Sequence, residues 1–265
     1  MATSSTRYDK IGIGYDSTRR ADPYLAQRMY SLLKVENKNA RYLDVGCGTG
    51  NYTHGLNQMG MHFTGLEPSD EMLEKARIKN SAIEWVKGSA EDIPLRDHSF
   101  DGVLISLSIH HWKDIDVGFS EVARVLKPGG KLVLFTTLPE QTGAYWLSHY
   151  FPTMIEDSTK VLPPMNHIKK AFKQAGLDIL EQEPYFVKPN LQDWFLQCGK
   201  HNPEMYFRED VRRGISSFSL ISKQEEVKEG LIKLRQDIDS GKVLQVMKDH
   251  DNNMGDYLFL VAKKL

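Results

Sequence analysis

Between about residues 41 and 138, short apolar runs alternate with amphipathic stretches. RYLDVG (41–46), HFTGLE (62–67), IEWVKG (83–88), FDGVLISL (100–107) and KLVLFTT (131–137) have the length and content of strands. Between them, NYTHGLNQMG, SDEMLEKARIKN and DVGFSEVARVLKPGG space their apolar residues as helices do. The last of these stops at Lys127, Pro128 and two glycines. Strands apolar enough to be covered on both faces, alternating with helices, predict an α/β protein with a doubly wound, mostly parallel sheet.

After residue 138 the rhythm changes. TGAYWLSHYFPTMI is aromatic-rich and reads as helix, and PPMNHIKKAFKQAGL as a helix begun after proline and stopped by Gly176. DILEQEPYFV reads as a strand. Residues 190–250 are mostly helical and polar, with QEEVKEGLIKLRQDIDSG carrying apolar positions at helical spacing. GDYLFLVAKKL is a final strand. A strand this late marks the preceding helices as an insertion above one end of the sheet. The predicted organisation is an N-terminal helical cap (1–40), a sheet domain (41–189 and 251–265) and a helical insertion (190–250) serving as substrate lid.

Composition narrows the function classes. The chain has 265 residues with 34 basic against 35 acidic side chains, for a net charge of -1. A surface built for duplex nucleic acid carries a positive excess, so no nucleic-acid partner is expected. Two cysteines, Cys47 and Cys198, are too few for a disulfide framework or a zinc site and suit a reducing cytosol. No stretch has the apolar length of a membrane span, and a cytoplasmic monomer or homodimer is expected.

In YLDVGCGTGNY (42–52), Gly46, Gly48 and Gly50 lie between a strand and the mouth of a helix, where backbone approaches a ligand and N–H groups are free. Glu67 ends the next strand, 21 residues after Gly46, where a carboxylate accepts from both ribose hydroxyls of an adenosine-containing cofactor. The dinucleotide fingerprint needs a third glycine where Asn51 stands. Asp44 would repel a pyrophosphate but suits an ammonium, which favours S-adenosylmethionine over a nicotinamide dinucleotide.

LDVGCGTG, GLEPSDEMLEKAR, GSAEDIPLRDHSFDGVLIS and ARVLKPGGKLVLF, in this order over residues 40–138, resemble class I S-adenosylmethionine-dependent methyltransferases. More narrowly, they are similar to the type 11 small-molecule branch, near the ubiquinone-biosynthesis and trans-aconitate methyltransferases. The resemblance implies a seven-stranded Rossmann-like methyltransferase fold, a small-molecule acceptor and S-adenosylhomocysteine as by-product. It implies that Asp44 and the backbone of Gly46, Cys47 and Gly48 hold the methionyl end, and that Glu67 binds the ribose with Pro68, Ser69 and Met72 beside it. Asp92 would accept the adenine amino group between Ala90 and Glu91, and Ser106 and Leu107 would border the methyl. Capping by Asp44 or Asp92 and core packing of Met72 are the structural alternatives. In the cap, Tyr15 and Arg19 match the family's tyrosine and arginine over the cofactor, with Tyr8 a looser candidate.

LISLSIHHW (104–112) ends a core strand in two imidazoles. Strand alternation with Ser106 and Ser108 turns His110 toward the pocket and His111 away, making His110 the candidate base. Asp114 or Asp116 is expected to cap the following helix rather than hold a metal. Asp101 is expected to be structural. Aromatics at 145–151, 185–186 and 194–195 could line the acceptor site but suit a core better. Arg208, Arg212 and Arg213 could recognise an acid but suit a solvated face better. Two other functions remain open, cofactor binding without methyl transfer and, further off, RNA methylation.

Overall fold

The computed structural model describes residues 18–265. The candidates Tyr8 and Tyr15 therefore lie outside the described residues. Among the described residues, α1 (Pro23–Leu33) is capped by the Asp22 carboxylate, which accepts the Leu25 N–H at 3.0 Å. Then come β1 (Arg41–Val45), α2 (Asn51–Gln58), β2 (His62–Glu67), α3 (Asp70–Lys79), β3 (Glu84–Lys87) and β4 (Phe100–Ser106). α4 (Ile115–Val125) leads into β5 (Leu126–Thr136). The sheet order is β3-β2-β1-β4-β5-β7-β6, with β6 (Leu177–Tyr185) and β7 (Tyr257–Lys264) closing one side. The first five strands are parallel, and β7 runs antiparallel to both β5 and β6.

The continuous apolar runs conceal a strict alternation. Leu43, Leu132, Leu134, Leu258 and Leu260 face α4 and α7 (Met165–Gln174), where Phe119 meets Phe172 edge to face at 4.7 Å. Tyr42, Val133, Phe135, Tyr257 and Phe259 face the opposite layer with α1, whose Leu25, Met29 and Leu33 they cover. Burial on both faces is what a doubly wound sheet requires of its strands.

Three local expectations change. β5 starts at Leu126, five residues before the apolar run, because Leu126 pairs with Phe100 across an irregularity before the regular ladder resumes at Gly102↔Lys131. Residues 139–160 form α5 (Pro139–Gly143), a 3-10 turn (Trp146–His149) and α6 (Pro152–Lys160) rather than one helix, since Pro139 and Pro152 each start a new one. The insertion holds a 3-10 turn (Pro203–Phe207), α8 (Glu209–Arg213), a π turn (Ser217–Ile221), α9 (Gln224–Asp239) and α10 (Val243–Asp249), but no helix over 190–202. Gly176, at φ +69, ends α7 as expected, Asp114 caps α4, and Asp101 holds the Arg41 N–H and Lys127.

The 139–160 pieces and the insertion share a third core. Trp146, Phe151 and Met154 pack there with Tyr206, Phe218 and Leu234, so the two segments form one helical layer. The N-terminal strap joins it. The Trp194 N–H donates to the Thr18 carbonyl at 2.9 Å, and Arg19 bridges to Asp193. Among the described residues, no helix is long and apolar enough to cross a membrane.

Trp85 on β3 supports the first loop. Its ring fills the space beneath Gly50 and Gly65, where an added Cβ would fall 2.3 and 2.4 Å from it, and its indole N–H donates to the Asn80 carbonyl at 2.8 Å. Trp85→Ala is expected to lower stability by about 3–5 kcal/mol. Urea unfolding checks this, and a loss below about 1 kcal/mol would deny Trp85 that role.

Candidate active site

A cavity of about 770 Å³ opens at the carboxyl ends of β1, β2 and β4, beneath the helical layer. This is the edge at which ligands lie in doubly wound sheets. Gly46 and Gly48, at φ +75 and +57, turn the chain from β1 toward α2. A Cβ on Gly46 would lie 2.7 Å from that of Ser108, so only glycine lets the loop close against the end of β4. Nothing lies within 4 Å of the Cβ position of Gly48, which leaves its backbone approachable.

Two buried carboxylates stand behind this loop. Glu67 accepts the Gly48 N–H at 3.0 Å on one oxygen and the Ser69 N–H at 3.1 Å on the other. Burial raises its pKa against those two bonds. Asp44 receives the Thr53 hydroxyl at 2.6 Å on Oδ2, while Oδ1 is buried without a hydrogen-bond partner. Burial pushes its carboxyl up to about 7, with the Thr53 bond opposing and the Glu67 charge adding. Asp44 is thus no turn cap.

Gly46, Cys47, Pro68, Ser69 and Met72 line the same cavity, as do Ala90 and Glu91 beyond β3. Asp92, expected at the adenine, is not among the residues lining this cavity. Its N–H closes a turn on the Ser89 carbonyl at 3.2 Å, leaving Ala90 and Glu91 on the wall and the Asp92 side chain exposed. Ser106 and Leu107 border the cavity at the end of β4. Leu107 takes φ 50, a left-handed conformation costly for a branched side chain, anchored by its N–H to the Phe135 carbonyl at 2.9 Å.

His110 and His111 both line the cavity, their rings 3.8 Å apart. The expected opposition of the pair fails because Ile109–His111 is a 3-10 turn, in which strand parity no longer applies. Burial, with the Arg19 charge adding to it, lowers the His110 pKa to about 4, so the imidazole is neutral at physiological pH. Arg19 also borders the cavity, but its guanidinium pairs with the buried Asp193 at 2.5 Å and lies 3.4 Å from the Gly214 carbonyl. That partner was invisible in the sequence, 174 positions away.

Sequence reasoning missed most of the roof. Thr137, Thr142, Ser158, Ser217 and Asp193 line the cavity, as do Asn51 and Tyr52 of α2. Small hydroxyl residues on short helical turns carry no motif, so nothing marked them. Of the aromatics considered for the pocket, only Phe195 reaches it, while Tyr145, Trp146, Tyr150 and Phe151 build the roof's own core. Arg208 pairs with Asp210 and stacks on Trp194, Arg212 holds the Tyr206 carbonyl, and Arg213 pairs with Glu209, all away from the cavity.

Residues 43–134 match the family described as the methyltransferase domain. A demethylmenaquinone methyltransferase of Bacillus licheniformis is 32% identical over 208 residues, covering 67% of this chain and 89% of its own. The chain belongs to the class I S-adenosylmethionine-dependent methyltransferases. A crystal structure assigned to methyl transfer in an antibiotic biosynthesis pathway of Anabaena variabilis is 30% identical, with a TM-score of 0.83 over 94% of this chain and 99% of that one. A Haemonchus contortus phosphoethanolamine N-methyltransferase in complex with S-adenosylmethionine, 19% identical with a TM-score of 0.64, covers 100% of this chain and 60% of its own and shares the fold.

The methyltransferase site fits its family's cofactor. The partnerless Oδ1 of Asp44 suits an ammonium, and the open face of Gly48 admits close backbone contact. Because Asp44 holds its proton up to about pH 7 in the ligand-free chain, it contributes stability at low pH that is lost as pH rises through about 7. An ammonium reverses the preference. Cofactor affinity is therefore expected to rise with pH through about 7 and then level, with proton release on binding below it. Calorimetry in buffers of different ionisation enthalpy reads that release. Asp44→Asn should abolish the pH dependence and weaken binding by about tenfold or more, and an unchanged profile would remove Asp44 from the site.

Proposed function

We propose that the chain transfers the sulfonium methyl of S-adenosylmethionine to a small organic acceptor enclosed between the sheet edge and the helical roof. One observation carries this reading. A single cavity is bounded on one side by Asp44, Glu67 and Leu107 and on the other by Thr142, Ser158 and Ile221 of the roof. Ligand clefts span about 300–1,000 Å³, so this cavity has room for a ligand of the cofactor's dimensions. The Bacillus relative is named for demethylmenaquinone, itself a small molecule. In this reading residues 1–40 are the cap, 41–189 and 251–265 the cofactor domain, and 190–250 the lid, joined by residues 139–162.

When bound, S-adenosylmethionine supplies an electrophilic methyl and leaves as neutral S-adenosylhomocysteine. Asp44 would hold the ammonium, Glu67 the ribose hydroxyls, and the Gly46–Gly48 backbone the carboxylate end. Met72, Ala90 and Glu91 flank the adenine. These residues would orient the cofactor, with Leu107 bordering it at the end of β4. The roof excludes water and holds the acceptor in line. His110, neutral and at the rim of β4, accepts a hydrogen bond from an acceptor O–H. As an oxygen gains the methyl it becomes strongly acidic, so even an imidazole of pKa about 4 takes its proton.

Incubation of the full chain with methyl-labelled cofactor and a cell extract tests this. Label is expected in the small-molecule fraction. Label in no acceptor would favour cofactor binding alone, and label in RNA would favour RNA methylation. With the acceptor identified, His110→Ala is expected to lower kcat by about a hundredfold or more, with cofactor Kd nearly unchanged. Full turnover by that variant would remove His110 from the reaction.

A further inference from the structure

Residues 18–22 cross one side of the cavity, and the sheet domain and the insertion both hold them. From the sheet side, Asn51 gives its side-chain amide N–H to the Arg19 carbonyl, while Lys79 of α3 holds the Asn51 side-chain oxygen. Asn51 opens α2 directly after the glycine loop, so the strap is fastened to the cofactor loop itself. From the roof side, Trp194 donates its N–H to the Thr18 carbonyl at 2.9 Å, and Gln192 donates its own to Asp22 Oδ2 at 3.0 Å.

Asp193 stands between those two residues at the centre of the seam. At 2% exposure it is cut off from water, so its charge must be met inside the protein. Oδ1 accepts the Arg19 Nε–H at 2.5 Å, and Oδ2 accepts the Tyr52 hydroxyl at 3.2 Å. That hydroxyl in turn accepts the Asp22 N–H at 3.4 Å. One carboxylate thus joins the strap, the first turn of α2 and the insertion. Arg19, Asn51, Tyr52 and Asp193 line the cavity together with Asp44 and Gly48. An apolar seam of similar volume would hold as firmly, because burying two charges offsets much of their attraction. What an ion pair adds is release, since each charge regains water when the seam parts.

Resting on the cofactor placement within the methyl-transfer reading, we propose that the strap is the gate through which S-adenosylmethionine enters and S-adenosylhomocysteine leaves, and that Asp193 is the positioning residue that latches it to the roof. Closing the roof and trapping the cofactor are then one movement, made at a single carboxylate.

The test follows methyl-labelled S-adenosylmethionine, without acceptor, entering and leaving the full chain by rapid filtration. A gate is passed in both directions. Asp193→Asn, which keeps the shape and loses the charge, is therefore expected to raise association and dissociation rates by about tenfold, with Kd shifting by no more than about threefold. Tyr52→Phe, which leaves the ion pair in place, should raise both by about twofold to threefold. Locking the seam should do the opposite. Arg19 and Asp193 form an antiparallel bridge with the Trp194-to-Thr18 bond outside it, a register that sets Cα atoms about 4.5 Å apart, within disulfide reach. Arg19→Cys with Asp193→Cys, oxidised and confirmed by peptide mass, is expected to slow both rates by at least about tenfold. Reduction of the same sample should restore rapid exchange. This pair and Tyr52→Phe carry the test if Asp193→Asn fails to fold. Equal rates in the oxidised and reduced pair overturn the proposal. So does an Asp193→Asn chain that binds more weakly without admitting the cofactor faster, the mark of a merely structural role. Failure of the unaltered chain to bind the cofactor overturns the methyl-transfer reading instead, and is distinguishable because every variant is read against that binding.

Discussion

Two carboxylates that hardly see water, Asp44 and Glu67, stand at the ends of adjacent parallel strands. Burying such groups is costly unless each is met by donors. Glu67 takes two backbone N–H groups from the chain that turns around it, and Asp44 takes a hydroxyl from the helix that follows. The loop, the start of α2 and the start of α3 are thereby tied to the sheet by the same groups that line the cavity. The glycines permit the turn, Trp85 fills the space beneath it, and Ser108 locks it to β4 through the Val45 carbonyl at 3.0 Å. Moving the loop or either helix start would leave a buried carboxyl without its donor.

The sheet and its ligand edge were legible because both obey local rules. Apolar runs of strand length, caps such as Asp114 and stops such as Gly176 act over a few residues. Glycines beside an acidic strand end are equally local. The misreadings occurred where tertiary partners decide. The two histidines share a cavity because their segment leaves the strand for a 3-10 turn. Arg19 lines the cavity, but its pairing with Asp193, far along the chain, follows no local rule.

The roof was the least legible part. Its aromatics suggested a pocket lining, yet they are spent on the roof's own core, as a layer lying off the main sheet must have one to persist. The lining falls to serines, threonines and aliphatics that any surface could carry. A hydroxyl becomes informative only once its bonding partners are known.

The connection from β6 to β7, residues 186–256, leaves and rejoins the sheet at a single point, because Tyr185 pairs with Tyr257 and the two strands then run together for their full length. The ladder is thus indifferent to what is strung between its ends. Descendants of such a gene can exchange, lengthen or redecorate that excursion while inheriting the nucleotide-binding half unaltered. The floor of the cavity is laid down before that excursion begins, and the excursion supplies only part of the roof above it.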